Sequence, residues 1–137
     1  MGLIWKEDYS TGIKEVDDQH KVLFKNLNKF EEITNAGGGV AVIEKMLGFL
    51  DRYAQKHFSF EEQYMEQHGC SMVDQNKEAH RRFFMVFERL KQRFEAEGAD
   101  ELLLSQIHST VETWLVNHIL GVDIQLRQCV ESTDLTD

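Results

Sequence analysis

Two short segments carry pairs of polar side chains at a spacing suited to metal binding. His57 and Glu61 stand four residues apart, and so do Asn76 and His80. On an α-helix, residues four apart lie on one face, one turn above the other. The three- and four-residue steps from each pair reach mainly apolar residues, which predicts that the pairs are buried. Burying imidazole and carboxylate groups without a partner is costly, and a bound metal ion is a common partner for such sets.

The composition indicates that helices position these groups. The chain has 137 residues, no proline, and many Leu, Phe, Glu, Gln and Lys residues, which lets long helices run without interruption. This length suits one domain with a sizeable core. We therefore expect an all-α protein.

Apolar residues at three- and four-residue spacing predict four helices with short connections. They span about 17–34, 41–67, 74–97 and 100 onwards, and the expected N-caps are Asp17 or Asp18, Asp74 and Asp100. Residues 1–16 lack a helical period and are interpreted as an irregular arm packed on the domain. The prediction is an antiparallel up-down four-helix bundle over 17–130, within a single domain of residues 1–137.

The inward faces of these helices collect more candidate ligands than one ion needs. A single inward histidine is more often a hydrogen-bonded core residue than a ligand. Four inward histidines and two carboxylates would each need a buried partner, and their neighbours are almost all apolar. The number exceeds a tetrahedral zinc site, and two carboxylates can bridge a metal pair, so we expect a dinuclear centre of iron, zinc or manganese. The candidate ligands are His20, His57, Glu61, Asn76, His80, His118 and Asp123.

One spacing in this set departs from a regular helix. His118 and Asp123 are five residues apart, which places them about 140° out of phase. Gly121 lies between them, and a local bulge or turn there would swing Asp123 towards the interior. His68 and His108 fall outside the set and are expected at exposed or rim positions. Glu62 points about 100° away from Glu61 and is interpreted as solvated or as a support for a ligand.

Charge and hydropathy exclude several classes of partner. The formal net charge is -9, which argues against nucleic acid and against contact with anionic membranes. The apolar runs are too short to span a membrane, and no signal peptide is evident. Cys70 and Cys129 form no spaced motif, so we expect no disulfide framework and a reducing, cytoplasmic location.

The combined motifs resemble those of bacterial hemerythrins over nearly the whole chain, and most closely the hemerythrin domain of a methyl-accepting chemotaxis receptor. The segments that carry the resemblance are Trp5-Lys6, Gly12 to His20, His57 to Glu62, His80 to Phe83 and Trp114 to Ile119. The resemblance implies a four-helix bundle that holds two iron ions with a bridging oxo or hydroxo group and binds O2 reversibly.

Ligand roles follow from the same resemblance. It implies that His20 and His57 bind the iron that keeps an open position for O2, and that Glu61 and Asp123 bridge the pair. His80 and His118 would bind the second iron, which in the family has a third histidine at the position of Asn76. An amide oxygen is a poorer ligand than imidazole, so this substitution would open the second iron and promote autoxidation or peroxidase-like turnover.

The predicted function is an oxygen-binding di-iron domain, used for oxygen or redox sensing in a chemotaxis receptor chain or for oxygen carriage and storage. In the sensing role, oxidation is expected to change the exposure of residues 1–16. The alternative is a di-iron peroxidase or oxidase. A histidine phosphotransfer bundle is disfavoured because that role needs an exposed histidine. Ile119 and Leu120 are candidates for lining the oxygen pocket, or equally for plain core packing.

Overall fold

The computed structural model describes residues 3–123 and 125–129, except for the side chains of Val122 and Asp123. It consists of four long helices: α1 (Lys14–Asn35), α2 (Val40–Gln67), α3 (Val73–Glu97) and α4 (Glu101–His118). A 3₁₀ turn at Glu7–Tyr9 precedes them, a π-helix at Ile119–Asp123 follows, and residues 125–129 are helical again. Each helix packs on the next and α4 packs on α1, which closes the bundle. The predicted four-helix bundle is confirmed.

The core fills the centre of the bundle with large apolar side chains from all four helices. Phe30, Ile43, Phe87 and Ile107 are each at most 2% exposed. Burying a side chain of this size stabilises the fold by about 1.5–3 kcal/mol. A smaller apolar cluster around Met65 and Leu126 packs below the end of α2. The polar centre described below therefore lies inside an otherwise apolar interior.

Two of the three predicted N-caps are wrong. Helix α1 begins at Lys14, and Asp17 instead reaches back into the arm, where it accepts hydrogen bonds from the Thr11 backbone N–H (2.8 Å) and the Ser10 hydroxyl (2.7 Å). These hydroxyl and amide donors in the arm bind the carboxylate, which therefore does not cap the helix. Helix α3 begins one residue before Asp74, which lies in the first turn without capping it. Asp100 does cap α4, because its carboxylate accepts a hydrogen bond from Leu103 N (3.3 Å).

The N-terminal arm packs on α1, as expected, although it is shorter than 1–16 because α1 starts early. Trp5 and Tyr9 both lie against Phe24, with ring centroids 5.7 and 5.3 Å away. The Asn28 side chain pairs with both backbone groups of Leu3, at 2.7 and 2.8 Å. These contacts attach the arm to the helix that also carries His20.

The two cysteines are paired, which corrects the expectation from sequence. Cys70 and Cys129 form a disulfide with Cα atoms 5.7 Å apart, across a sequence separation of 59 residues. This long separation leaves no spaced motif, so only the fold reveals the pair. The bond ties the turn after α2 to the helical residues 125–129, and the argument for a reducing cytoplasm from unpaired cysteines fails. Among the described residues, no helix is both long enough and apolar enough to cross a membrane.

Candidate metal centre

Glu61 lies at the centre of the polar site, where four histidines surround it. Its side chain is fully buried, and the four imidazoles come one from each helix. The four histidines are each at most 6% exposed: His20, His57, His80 and His118. The structure therefore brings together five of the six ligands predicted from sequence.

The two carboxylate oxygens of Glu61 face different pairs of histidines. Oε2 lies 3.2 Å from His57 Nε2 and 3.7 Å from His20 Nε2. Oε1 lies 3.3 Å from His80 Nε2 and 3.8 Å from His118 Nε2. The site thus divides into two sets of metal-ligand type, each with two imidazoles and one oxygen of the shared carboxylate. A carboxylate placed in this way is suited to bridge two ions.

The surroundings of Glu61 favour its ionised form. Burial raises the pKa of the carboxyl, but the imidazoles of His118, His20, His57 and His80 outweigh burial and hold the pKa well below its ordinary range. An ionised carboxylate is the form that binds metal. The electrostatics of the site therefore prepare Glu61 as a ligand.

Second partners orient two of the imidazoles. Nδ1 of His57 lies 2.5 Å from Gln19 Oε1, and Nδ1 of His80 lies 2.8 Å from Glu62 Oε2. Each ring then presents Nε2 to Glu61, because a partner on one ring nitrogen fixes the role of the other. Glu62 thus supports a ligand, one of the two roles expected for it. Gln19 was missed from the sequence, although its position beside His20 was a weak signal.

Aromatic rings hold the histidines on the α3–α4 side. The Phe58 ring stacks on His80 with centroids 3.8 Å apart and planes 2° from parallel. Trp114 stacks on His118 at 4.5 Å and 15°. These flat contacts leave each imidazole little freedom to rotate, so the ligand positions are largely fixed before any ion binds.

Asn76 lies in the site but presents its nitrogen to it. The residue is fully buried, and its Nδ2 donates hydrogen bonds to Glu61 Oε1 (2.7 Å) and Met65 Sδ (3.2 Å). An amide nitrogen is a donor and not a metal ligand. In this arrangement Asn76 positions the carboxylate and adds no third ligand beside His80 and His118.

The predicted irregularity near Gly121 is confirmed. Residues Ile119–Asp123 form a π-helix, whose i to i+5 hydrogen bonds bring positions five apart towards the same face. The side chain of Asp123 lies outside the described residues, so its role as a ligand stays a prediction.

The remaining sequence predictions have mixed outcomes. Ile119 is fully buried in the core, whereas Leu120 is 46% exposed and is not brought to the site, because adjacent helical residues point in different directions. His68 is half-buried at the end of α2, as expected. His108 is not a rim residue: it is only 9% exposed and lies between Glu31 and Glu112.

The donor set fits a pair of iron ions. Imidazole and carboxylate ligands suit iron, zinc and manganese. Glu61 Oε2 and Asn76 Oδ1 are buried and lack a hydrogen-bond partner among the described residues, as expected where a further group belongs. Two sets of three donors that share one carboxylate can hold two ions.

Comparisons with known proteins agree with this geometry. Residues 11–126 match the family described as Hemerythrin HHE cation binding domain. A bacteriohemerythrin of Pseudomonas aeruginosa is 31% identical over 121 residues, covering 88% of this chain and 76% of that protein. A bacteriohemerythrin of Methylococcus capsulatus is 32% identical over 125 residues, covering 91% and 93%. A crystal structure of wild-type hemerythrin superposes with a TM-score of 0.83 at 32% identity, covering 93% of this chain and 96% of that one.

Proposed function

Because the chain belongs to the hemerythrin HHE cation binding domain family, we propose that it holds two iron ions and binds molecular oxygen reversibly. The resemblance to hemerythrins implies a di-iron centre and oxygen binding, and each of the two clusters that share Glu61 has the donor atoms to hold a metal ion. An iron pair at this site would supply the reversible binding of O2. The chain's own residues supply the ligands, the dry surroundings and the fixed geometry.

The observation that carries the proposal is the division of Glu61 between two histidine pairs. His20 and His57 would hold one ion with Oε2, and His80 and His118 would hold the other with Oε1. Asp123 is proposed as a second carboxylate ligand shared by the two ions. A histidine-rich set with few charged ligands favours reversible binding over strongly oxidising chemistry.

Apolar packing around the site supports the binding of a small apolar gas. A cavity of about 20 Å³ lies between Phe58 and Trp114, the rings that stack on His80 and His118, and its other lining residues are aliphatic or aromatic. This volume holds about one water-sized molecule, and an apolar cavity of this kind stays dry. This cavity is a better candidate for holding O2 than the surface at Leu120, which is exposed.

Metal content and visible absorption test the proposal together. We expect two irons per chain and a charge-transfer band that appears with O2 and disappears when O2 is removed, over repeated cycles. His57→Ala should lose iron and the band, whereas His68→Ala should keep both, because His68 lies outside the site. One iron per chain, or a single irreversible oxidation, would contradict reversible oxygen binding.

Asn76 favours a second candidate function, a peroxidase-like activity. With the amide nitrogen turned to Glu61, the set around His80 and His118 has two imidazoles and no third ligand beside them. An ion held there would keep a position open to peroxide. Steady-state turnover with hydrogen peroxide and an electron donor tests this candidate, and turnover no faster than that of the free ferric ion would exclude it.

Sensing is a refinement of the same oxygen-binding function. The arm packs on α1 through Trp5 and Leu3, and α1 carries His20, so a change at the site can reach the arm along one helix. We expect the protease sensitivity of residues 3–13 to differ between reduced and oxidised protein. Equal sensitivity would favour carriage or storage over sensing through this arm, in a chemotaxis receptor or elsewhere.

A further inference from the structure

A second cluster of metal-ligand side chains lies between α1 and α4, apart from the centre at Glu61. It consists of Glu31, His108 and Glu112, whose ligand atoms all lie within 4.8 Å of one another. His108 precedes His118 by ten residues on α4, which at 1.5 Å per residue places the two histidines about 15 Å apart along the helix. The cluster is therefore a separate site and shares no ligand with the first.

His108 is the buried member, and its ring is aimed at both carboxylates. The residue is 9% exposed. Its Nδ1 lies 3.5 Å from Glu31 Oε2, and its Nε2 lies 3.3 Å from Glu112 Oε2. Nε2 is buried and makes no hydrogen bond to any residue that the structure describes. Buried polar atoms normally have a hydrogen-bond or ligand partner, so this nitrogen is available to a further group.

Helix α4 carries a His–Glu pair at the same four-residue spacing as the pair on α2 at the first centre. His108 and Glu112 are four residues apart on α4, as His57 and Glu61 are on α2, and the closest N–O distances are 3.3 and 3.2 Å. Phe30 lies parallel to His108, with centroids 6.4 Å apart and planes 4° from parallel. A fully buried neighbour therefore limits rotation of the imidazole.

We propose that Glu31, His108 and Glu112 form a mononuclear site for a divalent transition-metal ion of the zinc class. An ion binds one ring nitrogen of His108, and ligand atoms bonded at about 2.1 Å around a tetrahedral ion lie about 3.4 Å from each other, close to the 3.3 Å between Nε2 and Glu112 Oε2. One ligand atom from each of the three residues lies within 4.8 Å of the others, so Glu31 can reach the same ion. Two carboxylates balance the charge of a divalent ion. The side chains of Glu31 and Glu112 are 27% and 32% exposed, so solvent can reach the site and supply a fourth ligand.

Zinc uptake by the iron-loaded, oxidised protein tests this site without disturbing the first. After equilibration with Zn²⁺ and removal of the excess, zinc and iron are counted per chain. We expect one zinc with unchanged iron, and a rise in unfolding temperature that depends on the zinc concentration. His108→Gln and, separately, Glu112→Gln should each weaken zinc binding by more than about tenfold. Glu112 is partly exposed, so its substitution leaves folding intact even if that of His108 does not.

His68→Gln is the matched control, because it removes a histidine outside both sites and should leave zinc uptake unchanged. Absence of zinc uptake would identify the cluster as an ion pair only and overturn the proposal. Uptake unaffected by both substitutions, or uptake matched by an equal loss of iron, would also overturn it. Iron content and the oxygen-dependent absorption are read from the same samples, so failure of this site is distinguishable from failure of the oxygen-binding function.

Discussion

Glu62 Oε2 lies 2.8 Å from Nδ1 of His80, and this contact turns the other ring nitrogen of His80 towards Glu61. The carboxylate of Glu62 is one-quarter exposed, so it joins a buried ligand to the surface of the bundle. A carboxylate in this position holds the imidazole in one orientation. Glu62 therefore acts on the metal centre without touching it.

Substitution of Glu62 by alanine should weaken metal retention on the α3–α4 side. Loss of such a supporting partner typically lowers metal affinity by about 10–100-fold. We expect iron release to a chelator to be at least about tenfold faster in Glu62→Ala, with an intermediate rate in Glu62→Gln because the amide oxygen still accepts a hydrogen bond.

Glu66→Ala provides the control for that experiment. Glu66 is half exposed and pairs with Lys77 on the surface, one turn from Glu62. Its loss should leave the rate of iron release unchanged. Equal rates of iron release in the Glu62 and Glu66 variants would show that the contact between Glu62 and Nδ1 of His80 does not help to retain iron.

Restoring a histidine at position 76 should lengthen the lifetime of the oxygenated protein. The amide nitrogen of Asn76 donates a hydrogen bond to Glu61 Oε1. An imidazole at this position could instead bind the ion beside His80 and His118. A saturated ion exposes no position for autoxidation. We expect Asn76→His to autoxidise more slowly and to lose peroxidase turnover, both measured by visible absorption.

Asn76→Leu separates the added ligand from the lost hydrogen bond. Leucine has a similar volume, but it neither binds metal nor donates to Glu61. It should autoxidise at least as fast as the unmodified chain. An unchanged lifetime in Asn76→His would rule out the role assigned to this position.

The Asp51–Lys91 ion pair should increase the free energy of unfolding only within a limited pH range. Burial raises the pKa of Asp51, but the Lys91 ammonium at 2.8 Å and the Gln55 amide outweigh burial and bring the pKa below its ordinary value of 3.8. The hydrogen bond to Asp51 raises the pKa of Lys91 above 10.5. The unfolded chain therefore binds a proton at Asp51 at higher pH than the folded chain does. The stabilisation is complete from about pH 5 to 10, and it is lost as pH falls through the folded pKa of Asp51 or rises through that of Lys91.

Urea unfolding of Asp51→Asn across pH measures this contribution. The free energy of unfolding should fall by about 1 kcal/mol at pH 7, and the difference from the unmodified chain should shrink as the pH falls through the folded pKa of Asp51. Asp18→Asn is the matched control: its pair with Lys14 is well exposed and should have no measurable effect. A difference that does not decrease as the solution is acidified would contradict the assigned ion pair.

Reduction of the disulfide should destabilise the bundle. The Cys70–Cys129 bond closes a loop with a sequence separation of 59, and cross-links of this kind stabilise folded proteins by about 2–4 kcal/mol. We expect a loss of that size in urea unfolding when a reductant is added. The double variant Cys70→Ser/Cys129→Ser should already show the loss and respond no further to reductant. Identical unfolding curves with and without reductant in the unmodified chain would exclude the bond.

Helical periodicity is sufficient to predict the bundle and most of the metal centre. Steps of three and four residues from His57 and His80 run along buried faces, and the structure buries those faces together. Within one helix the phase of a side chain depends only on sequence spacing. For that reason the inward position of His20 and the irregular turn after His118 were also predictable.

Contacts between helices were not predictable in the same way. The pairing of Gln19 with His57, of Glu31 with His108 and of Cys70 with Cys129 depends on how the helices rotate against each other. Sequence spacing carries no information about that rotation. The direction of the Asn76 amide depends on the position of Glu61 across the α2–α3 contact, so its role as a donor emerged only from the fold.

The stacking of Trp114 on His118 gives the chain a built-in optical reporter. The chain has two tryptophans, and the other, Trp5, lies in the N-terminal arm beneath the Lys21 ammonium. Fluorescence emission from Trp114 should be quenched when iron binds to the imidazole of His118. Emission from Trp5 should change when the arm detaches from α1. Two variants, each with one tryptophan replaced by phenylalanine, therefore let fluorescence follow metal loading in one and arm movement in the other.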